Sequence, residues 1–585
     1  MQDTKCLQPA FLLVRNIPEA YNTTSFVNLI EKRLGMSTRK KLSFVLILAI
    51  LLACNAIIPP TATREVTKAP GTNVPTSAPA VPEVTDIRSK LAELGGQSCV
   101  ENPDFTCVTI QVPLDHFDAA NQETLDVVFA VSPARGERYG MFVQAFPGGP
   151  GGEGISTGQT SWFAEGILEH YDIVYFDQRG VGISSPLACP TAYSKYFLAY
   201  LNINDTTGQE GLDTPEEQQA ATSEAHAFVD QCVAEIGIEP SKLIFYGTNQ
   251  VAEDIETFRQ MIGDEKFMLY GVSYGTAVAQ TYAMKHADHL SGLILDGTID
   301  LTLTGEEQAF GQVKGFNEVL DATLKACNEN SSCASDLGGD AEAAYNNLAS
   351  KLAESPIPYE YSLSSGKTEK RLFTFNQLDF TVSYMLYSIN GRTNLLHAIA
   401  DANNGNILTL VDHYYDLASI DPETGQYKGD PTFSDTMYYS VWCTDDSYYS
   451  GTSDERSAQL IKAGQVLNGI DPRLDLDVYP LGLACTYWPS APTNVVETPL
   501  LTADGVPTFV LNATLDPATP FQEGKSVFEH LANGYHLYVE GGQHSIYGWG
   551  FSCPDQYITD FLVEGKLPDQ REIACPGWDN AIINY

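Results

Sequence analysis

The pentapeptide Gly-Val-Ser-Tyr-Gly at residues 271–275 is the feature that most restricts the fold of this chain. It follows a short apolar run at 267–270 and precedes a helix-compatible stretch at 276–289, and a second apolar run begins at Leu293. Strand, tight turn, helix and strand in this order form one unit of a parallel β-sheet. The strained turn in such a unit projects its serine hydroxyl above the sheet. We therefore predict that Ser273 is a nucleophile; the alternative is a glycine-rich packing turn.

A second glycine-rich loop lies upstream of this turn. Pro-Gly-Gly-Pro-Gly-Gly at 147–152 follows an apolar strand at 141–146. Acyl transfer creates an anionic tetrahedral oxygen that needs preorganised N–H donors, and a loop with few side chains can turn its backbone N–H groups towards a substrate. We predict an oxyanion hole formed by the N–H of Gly148 or Gly149 and by that of Tyr274, which follows the nucleophile. The alternative is an ordinary Gly/Pro turn.

Three histidines follow the start of the last strands, and one of them stands where a general base is expected. His530 lies in a helix-like run, and His536 lies near the start of a strand at 535–539. His544 follows that strand on a polar loop, at the carboxyl end of the sheet, where open α/β sheets bind their ligands. We therefore choose His544.

The acid is chosen by the same strand-end argument. Asp516 follows the strand at 508–511, whereas Asp504 precedes it at the opposite edge. We predict that Asp516 orients the imidazole of His544, which takes the proton of Ser273. The chain order serine, acid, histidine agrees with this choice.

Two further patterns predict structure that supports the nucleophile. Apolar residues at helical spacing within 251–262 indicate a core-facing helix, with Thr248 as its N-cap. Asp177 and Arg179 follow the strand at 171–176, and we interpret them as an ion pair that braces loops behind the site.

The N-terminal segment has the pattern of an export signal. A cationic stretch at 39–41 precedes an apolar run at 42–53, and Cys54 follows directly. This resembles a bacterial lipoprotein signal, in which Cys54 becomes the lipidated first residue. The alternative is an uncleaved membrane anchor, although the run is short against the roughly 20 residues of a span. The true start is Met1 or Met36.

Composition excludes some classes of function. The 585 residues carry a formal net charge of −41, which argues against general nucleic-acid binding. No Cys-x-x-Cys pair occurs, so we expect no structural zinc, and we expect no metal or organic cofactor at the site. Ten cysteines follow Cys54, and an even number in an exported chain indicates disulfides. Pairing sequence neighbours gives 99–107, 189–232, 327–333, 443–485 and 553–575, which is one of the connectivities that the sequence leaves open.

Taken together, the motifs resemble those of secreted bacterial tripeptidyl aminopeptidases, relatives of the proline iminopeptidases within the α/β-hydrolases. The resemblance rests on Phe-Pro-Gly-Gly-Pro-Gly-Gly, Phe-Asp-Gln-Arg-Gly-Val-Gly, Gly-Val-Ser-Tyr-Gly-Thr, Leu-Asp-Gly and Asp-Pro-Ala-Thr-Pro, and runs from about 99 to 580. It implies serine exopeptidase activity at peptide N-termini. Iminopeptidases usually carry His where Pro147 stands, which favours the tripeptidyl branch.

The long separation between Ser273 and Asp516 predicts an inserted cap. Residues 301–490 contain helical stretches at 307–328, 341–354 and 456–468, so we expect a mostly helical cap over the site. An aminopeptidase must bind an ammonium group, and Asp445 or Asp446 is our candidate for that contact. The alternative is a solvated acidic pair at the surface.

The expected fold is an α/β-hydrolase fold with a mostly helical cap inserted between nucleophile and acid. The expected segments are 1–54 (upstream segment and signal), 55–86 (Pro/Thr-rich linker), 87–300 (first part of the core), 301–490 (cap) and 491–585 (last part of the core).

The expected function is that of an exported, lipid-anchored serine exopeptidase, whose partners are peptides with a free N-terminus and the membrane that holds its lipid. The alternatives are an esterase or lipase-like hydrolase with the same residues, and an inactive surface-binding protein that kept the fold.

Overall fold

The computed structural model describes residues 86–202, 214–446, 448–468, 473–474, 478–493, 498–578 and 582–585. The predicted lipidation site at Cys54 lies outside the described residues, as does the linker apart from its last residue. Within the described ranges, no helix is both long and apolar enough to span a membrane.

The described residues form ten strands of one sheet and a separate two-stranded hairpin. The strands are β1 Gln97–Ser98, β2 Thr106–Pro113, β3 Thr124–Ser132, β4 Gly140–Ala145, β5 Tyr171–Asp177, β6 Phe267–Val272, β7 Leu290–Asp296, β8 Ile357–Ser362, β9 Thr368–Phe373, β10 Thr508–Ala513, β11 Gly534–Val539 and β12 Glu572–Cys575. The sheet has the order β1-β2-β3-β5-β4-β6-β7-β10-β11-β12. β1, β2, β3 and β5 pair antiparallel, and the remaining pairs are parallel.

The centre of the sheet is built from strands that are buried on both faces. Every residue of β4, β5, β6 and β10 is buried. Parallel strands that are covered by helices on both faces have continuous apolar sequences. The apolar runs in this sequence predict such strands for that reason. The strands expected at 141–146, 267–270 and 508–511 are therefore confirmed to within a few residues.

Helices cover both faces of the sheet and build the cap. They are α1 Ile87–Glu93, α2 Gly154–Thr157, α3 Glu165–His170, α4 Pro190–Asn202, α5 Pro215–Ile236, α6 Thr248–Ile262, α7 Tyr274–His286, α8 Gly305–Glu329, α9 Ser331–Asp336, α10 Ala341–Glu354, α11 Phe375–Leu386, α12 Ile389–Asn403, α13 Leu408–Leu417, α14 Asp435–Asp445, α15 Ser453–Asn468, α16 Val478–Tyr487, α17 Phe521–His530 and α18 Ser552–Glu564.

The predicted helix before the nucleophile is present as α6. Its apolar stripe, which includes Val251 and Phe258, is buried in the main core cluster with α7. The N-cap prediction is wrong, because Gly247 occupies that position and Thr248 is the first helical residue. The first helical N–H, that of Thr248, is not bound by a side chain of the preceding residue. It donates instead to the carboxylate of Asp445, which belongs to another helix.

The segment between β7 and β10 forms the expected cap, and α8, α10 and α15 match the three predicted helical stretches closely. It also contains the antiparallel β8–β9 hairpin. Two helices that precede the nucleophile pack on it as well. Leu201 of α4 is buried in the same cluster as Phe316 and Leu320 of α8, and Ala225 of α5 is buried with Leu460 of α15.

Five disulfides join the cysteines of the described residues, with the connectivity that pairing of sequence neighbours predicts. The loops that they close differ greatly in length. Cys189 and Cys232 are 43 residues apart, whereas Cys327 and Cys333 are 6 residues apart. Because a cross-link removes more unfolded-chain entropy from a longer loop, the two bonds differ in their expected effect on stability.

We predict that replacing Cys189 and Cys232 together by Ser lowers the free energy of unfolding by about 4 kcal/mol, as the loop-entropy relation gives for this loop length. The matched pair Cys327→Ser and Cys333→Ser lowers it by about 2 kcal/mol. Urea unfolding followed by circular dichroism measures both. Equal losses in the two double variants would contradict the loop-length argument.

Candidate active site

Ser273 stands between the last residue of β6 and the first residue of α7. Its φ of 54° and ψ of −126° are rarely adopted by residues other than glycine. A Cβ on Gly271 would collide with the carbonyl oxygen of Gly275, and a Cβ on Gly275 with that of Ala145. The two glycines therefore allow the strand, the helix and the neighbouring β4 to approach closely, which explains the spacing of the motif.

The predicted oxyanion loop lies directly against this turn. Gly148 and Gly149 have φ values of 98° and 111°. A Cβ on Gly148 would lie 2.8 Å from the carbonyl oxygen of Val272, 3.1 Å from Cβ of Ser273 and 3.4 Å from the backbone nitrogen of Tyr274. Only a residue without a side chain fits there. The backbones of the predicted donors thus adjoin one another, while their role as donors stays a prediction.

Asp516 and His544 form a hydrogen-bonded pair. Nδ1 of His544 lies 2.9 and 3.0 Å from the two carboxylate oxygens of Asp516. The N–H groups of Ala518 and Thr519 donate to Oδ1 at 3.0 Å, and the Thr519 hydroxyl donates to Oδ2 at 2.9 Å. Burial lowers the pKa of His544, but the Asp516 carboxylate more than offsets this, so the pKa of the imidazole is raised. With Nδ1 held by the acid, Nε2 is the nitrogen that can exchange a proton with a reactant.

The nucleophile turn and the acid–imidazole pair leave the sheet at the same edge. Val272, Asp296 and Leu511 are neighbours in register across β6, β7 and β10. The imidazole of His544 packs over Gly297, where a Cβ would lie 3.1 Å from Cε1. This edge is the one that the strand-end argument predicts; the joint action of the three side chains in catalysis stays a prediction.

Asp296, the last residue of β7, fastens the histidine loop to the nucleophile turn. Its carboxylate accepts the N–H of Ile546 at 2.9 Å, the N–H of Tyr547 at 2.8 Å and the hydroxyl of Tyr270 at 3.1 Å. Its carbonyl oxygen accepts the N–H of Ser273 at 2.9 Å. Burial raises the pKa of Asp296 to about 7, although the donated hydrogen bonds lower it.

Sequence reasoning missed this residue. The one available signal was an acid in Leu-Asp-Gly at 295–297, directly at the carboxyl end of an apolar strand. A lone acid at a strand end has many structural roles, and only the fold reveals that residues 250 positions later in the chain donate to it.

The cap also holds the loops of Asp516 and His544. The guanidinium of Arg392, on α12, is buried and donates at 2.7 Å to the carbonyl oxygens of Gly542 and Leu515. Those residues adjoin the loops of His544 and Asp516. Burial lowers the pKa of Arg392 to about 10. The N–H of His544 donates to the carbonyl oxygen of Tyr387 at 3.0 Å.

The two predicted ammonium ligands lie close to the nucleophile turn. Asp445 accepts the N–H of Thr248 at 2.9 Å, and the hydroxyl of Thr248 lies 2.6 Å from that of Tyr274. The side chain of Asp445 is exposed to solvent. Burial, reinforced by the neighbouring Asp445, raises the pKa of Asp446 to about 8.

The predicted ion pair between Asp177 and Arg179 is wrong. Arg179 instead forms a buried bidentate pair with Asp254 of α6, at 2.8 and 2.6 Å. Asp177 accepts the N–H groups of Ile155 at 3.0 Å and Ile183 at 3.1 Å. The strand β5 ends at Asp177 and Arg179 lies in the turn that follows, so the two side chains contact different neighbours.

Among the described residues, one group of side chains has the spacing of a metal site: Glu256, His286 and His289. Glu256 already pairs with Arg259 at 2.6 Å. His286 ends α7, and thirteen residues of helix separate it by roughly 18 Å from the turn at Ser273. This group is therefore not part of the candidate active site.

The chain is similar to known proteins of the α/β-hydrolase fold. The model of the alpha/beta hydrolase fold matches residues 144–336, and that of the TAP-like protein matches residues 475–575. Serine protease Hip1 of Mycobacterium tuberculosis is 28% identical over 79% of this chain and 86% of its own length. Carboxylesterase B of the same species is 26% identical over 80% and 86%. Tripeptidyl aminopeptidase of Streptomyces lividans is 22% identical over 80% and 83%.

The chain has the α/β-hydrolase fold, as its sheet order, its turn at Ser273 and the matched model indicate together. Its C-terminal region is similar to the TAP-like protein, and the similar proteins include a serine protease and a tripeptidyl aminopeptidase. A solved proline iminopeptidase of Mycobacterium smegmatis aligns over 78% of this chain and 98% of its own with 11% identity and a TM-score of 0.29. The fold assignment rests on the strand order and the matched models.

We predict that Asp296→Asn lowers kcat for a chromogenic ester by about 100-fold, because misplacing a catalytic loop by about 1 Å has that effect. The amide presents a donor to one of the N–H groups of Ile546 and Tyr547, so the loop moves. KM changes little. The graded control Tyr270→Phe removes one of the three donors and lowers kcat less. If Asp296→Asn had the wild-type kcat and the wild-type melting temperature, the role of Asp296 would be contradicted.

Proposed function

We propose that the protein is an exported serine exopeptidase that hydrolyses peptide bonds near free N-termini through an acyl-enzyme. The observation that carries the catalytic part is the hydrogen bond between His544 and Asp516 at the sheet edge where Ser273 stands in its strained turn. The TAP-like match and the relatives named as a serine protease and a tripeptidyl aminopeptidase support the peptidase part.

In the proposed mechanism, His544 takes the proton of Ser273 as its Oγ attacks the scissile carbonyl. The N–H groups of Tyr274 and of Gly148 or Gly149 stabilise the oxyanion that forms. The C–N bond then breaks, the leaving amine receives the proton from His544, and water hydrolyses the acyl-enzyme by the same steps. Asp516 holds the tautomer and stabilises the transient imidazolium.

We assign selection for a free N-terminus to the acids near the turn at Ser273. Burial and the carboxylates of Asp300, Asp516 and Asp446 raise the pKa of Glu523 to about 8. The pKa of Asp446 is raised to a similar value. Carboxylates that repel one another in a buried site gain stability when a cation enters, and the α-ammonium of a peptide is such a cation. Asp445 and Asp446 stand beside Tyr274, so an ammonium bound there lies close to the scissile bond.

Export is supported by the disulfides and by the signal-like N-terminus. Five disulfides are typical of proteins outside the reducing cytoplasm. Lipidation at Cys54 and attachment to the membrane remain part of the proposal, since this segment lies outside the described residues. Metabolic labelling with a fatty acid analogue, compared with Cys54→Ala, tests them.

An esterase is the second candidate function, because one relative is named a carboxylesterase. The same nucleophile, base and oxyanion donors serve ester hydrolysis. Assays of tripeptidyl amides beside short acyl esters separate the two, since ester hydrolysis without amide hydrolysis supports the esterase. An inactive binding protein is distinguished by a failure of the folded protein to react with a fluorophosphonate.

We predict that Ser273→Ala and His544→Ala each lower kcat for a tripeptidyl amide by at least about 10⁴-fold. Asp516→Asn lowers it by about 10⁴-fold with the fold retained. The retained oxygen of the amide still accepts the N–H groups of Ala518 and Thr519, while its NH₂ faces the imidazole. Initial rates and melting temperatures measure this. Full activity of Ser273→Ala would refute the assigned nucleophile.

We predict that KM for peptides with a free N-terminus falls as pH rises from 6 to 8. Asp446 is neutral below its pKa of about 8 and charged above it, while the peptide ammonium keeps its charge up to about pH 8. In the Asp446→Asn variant, KM no longer rises as the pH falls from 8 to 6. An N-acetylated peptide provides the control without a charge. If both Asp445→Asn and Asp446→Asn leave KM and kcat unchanged, these acids do not bind the ammonium.

A further inference from the structure

Two exposed tyrosines of the cap stand beside the predicted base. Tyr384 lies in the last turn of α11 and Tyr387 directly follows that helix, and the two residues are 46% and 37% exposed. The ring of Tyr387 meets the imidazole of His544 edge to face at 5.4 Å, and the ring of Tyr384 lies 6.1 Å from that of Tyr387. A reactant at His544 therefore has accessible aromatic surface close by. We call these two side chains the tyrosine pair.

A carboxylate lies close to the tyrosine pair. Asp435, the first residue of α14, accepts the hydroxyl of Tyr427. The hydroxyl of Tyr193 faces the same carboxylate, and both Tyr193 and Tyr427 also interact with Tyr384. The rings of Tyr193 and Tyr427 meet edge to face at 5.3 Å. The acid of Asp435 and the exposed ring of Tyr384 thus border one group of tyrosines.

The groups that act most strongly on Asp435 carry no positive charge. They are the hydroxyls of Tyr427 and Tyr193 and the carboxylate of Asp430. Burial raises the pKa of Asp435 to about 6. A partly buried carboxylate gains stability when a cation approaches it, and the face of a tyrosine ring attracts the cations of Lys and Arg. An acid beside accessible tyrosine rings is therefore suited to bind a cationic side chain.

The helix that begins at Asp435 connects the predicted oxyanion loop with the predicted ammonium ligands. Its N-cap, Ser434, donates its N–H to the carbonyl oxygen of Gly151 at 2.8 Å, and its last residue is Asp445. At a rise of 1.5 Å per residue, Asp435 and Asp445 are about 15 Å apart along the helix axis. An extended peptide covers this distance with about four residues.

The nucleophile turn lies against the same helix, between its two ends. The ring of Tyr274, which follows Ser273, is 6.2 Å from the ring of Trp442 of α14. A substrate at Ser273 therefore lies beside α14, with Asp445 towards one end of the substrate and Asp435 towards the other.

The chemistry of the reaction defines which part of the substrate lies at Asp435. A peptide whose ammonium is bound at Asp445 brings about its fourth residue to Asp435. The leaving amine takes its proton from His544, which the tyrosine pair adjoins, so the residue that carries this amine lies at the same place. We propose that Tyr384, Tyr387 and Asp435 bind the cationic side chain of a Lys or Arg residue directly C-terminal to the scissile bond.

This inference rests on the proposed function, and peptides with a free N-terminus test it. Ala-Ala-Ala-Lys-amide is compared with the same peptide acetylated on the lysine side chain, which keeps the length and removes the charge. Mass spectrometry identifies the bond that is cut. We expect kcat/KM for release of Lys-amide to exceed that for acetyl-Lys-amide by about 30-fold, because the cation contacts both ring faces and a desolvated acid. In Ala-Ala-Lys-Ala-amide, where the lysine precedes the bond, acetylation has no such effect.

Asp435→Asn tests the acid, and Asp454→Asn is its matched control. Both aspartates lie in the first turn of a cap helix and accept a tyrosine hydroxyl, that of Tyr487 in the case of Asp454. We expect Asp435→Asn to reduce the ratio of kcat/KM for Lys over acetyl-Lys to below about 3-fold and Asp454→Asn to preserve it. Because the ratio compares two substrates of one variant, a general loss of active protein cancels.

Tyr384→Leu and Tyr384→Phe separate the ring face from the hydroxyl. Leucine keeps an apolar side chain but has no π-system, whereas phenylalanine keeps the ring. We expect the ratio of Lys over acetyl-Lys to fall about 5-fold in Tyr384→Leu and to be preserved in Tyr384→Phe. An equal fall in both variants would show that the ring face does not bind the cation.

The outcomes separate the inference from the function on which it rests. Equal kcat/KM for the Lys and acetyl-Lys peptides overturns the inference and leaves the peptidase intact, as does a ratio that Asp435→Asn does not reduce. An advantage of lysine only on the N-terminal side of the bond overturns it as well. If no peptide with a free N-terminus is cut while short esters are, the proposed peptidase function fails and the inference fails with it.

Discussion

The buried carboxylate of Asp296 is the contact on which the geometry of the site depends. It joins the end of a central strand to the loop after His544 through hydrogen bonds from Ile546 and Tyr547 and accepts a third from Tyr270 of β6. Its own carbonyl oxygen accepts the N–H of Ser273. Ser273 and His544 are far apart in sequence. One residue of the intervening strand sets the position of both, so small shifts of the sheet edge move them together.

Much of the site could be predicted from the sequence because its signals are local. The strained turn needs glycine on both sides of Ser273, since a Cβ at either position collides with backbone. Asp516 and His544 each follow an apolar strand, and the carboxyl ends of parallel strands meet at one edge. The disulfide connectivity was also predicted, because each cysteine pairs with its neighbour in sequence.

The other features of the site and the fold depend on contacts between segments that are distant in sequence. Local sequence patterns do not indicate such contacts. Arg179 pairs with Asp254 rather than with Asp177, because the partner of a buried charge is set by the helix that packs over it. The Thr248 N–H is bound by Asp445, a residue 197 positions later, so the expected N-cap moves to Gly247. The packing of Leu201 against the cap follows from tertiary structure alone.

The position of Arg392 has a consequence for how this enzyme admits its substrate. A cap that swings open as a rigid lid has to break the contacts that it shares with the loops of Asp516 and His544. Here the guanidinium of Arg392 and the carbonyl oxygen of Tyr387 belong to the cap and hold those loops in place. Lifting the cap would therefore disassemble the acid–imidazole pair. A substrate that reaches the site while this pair is intact therefore does so with Arg392 and Tyr387 still in place.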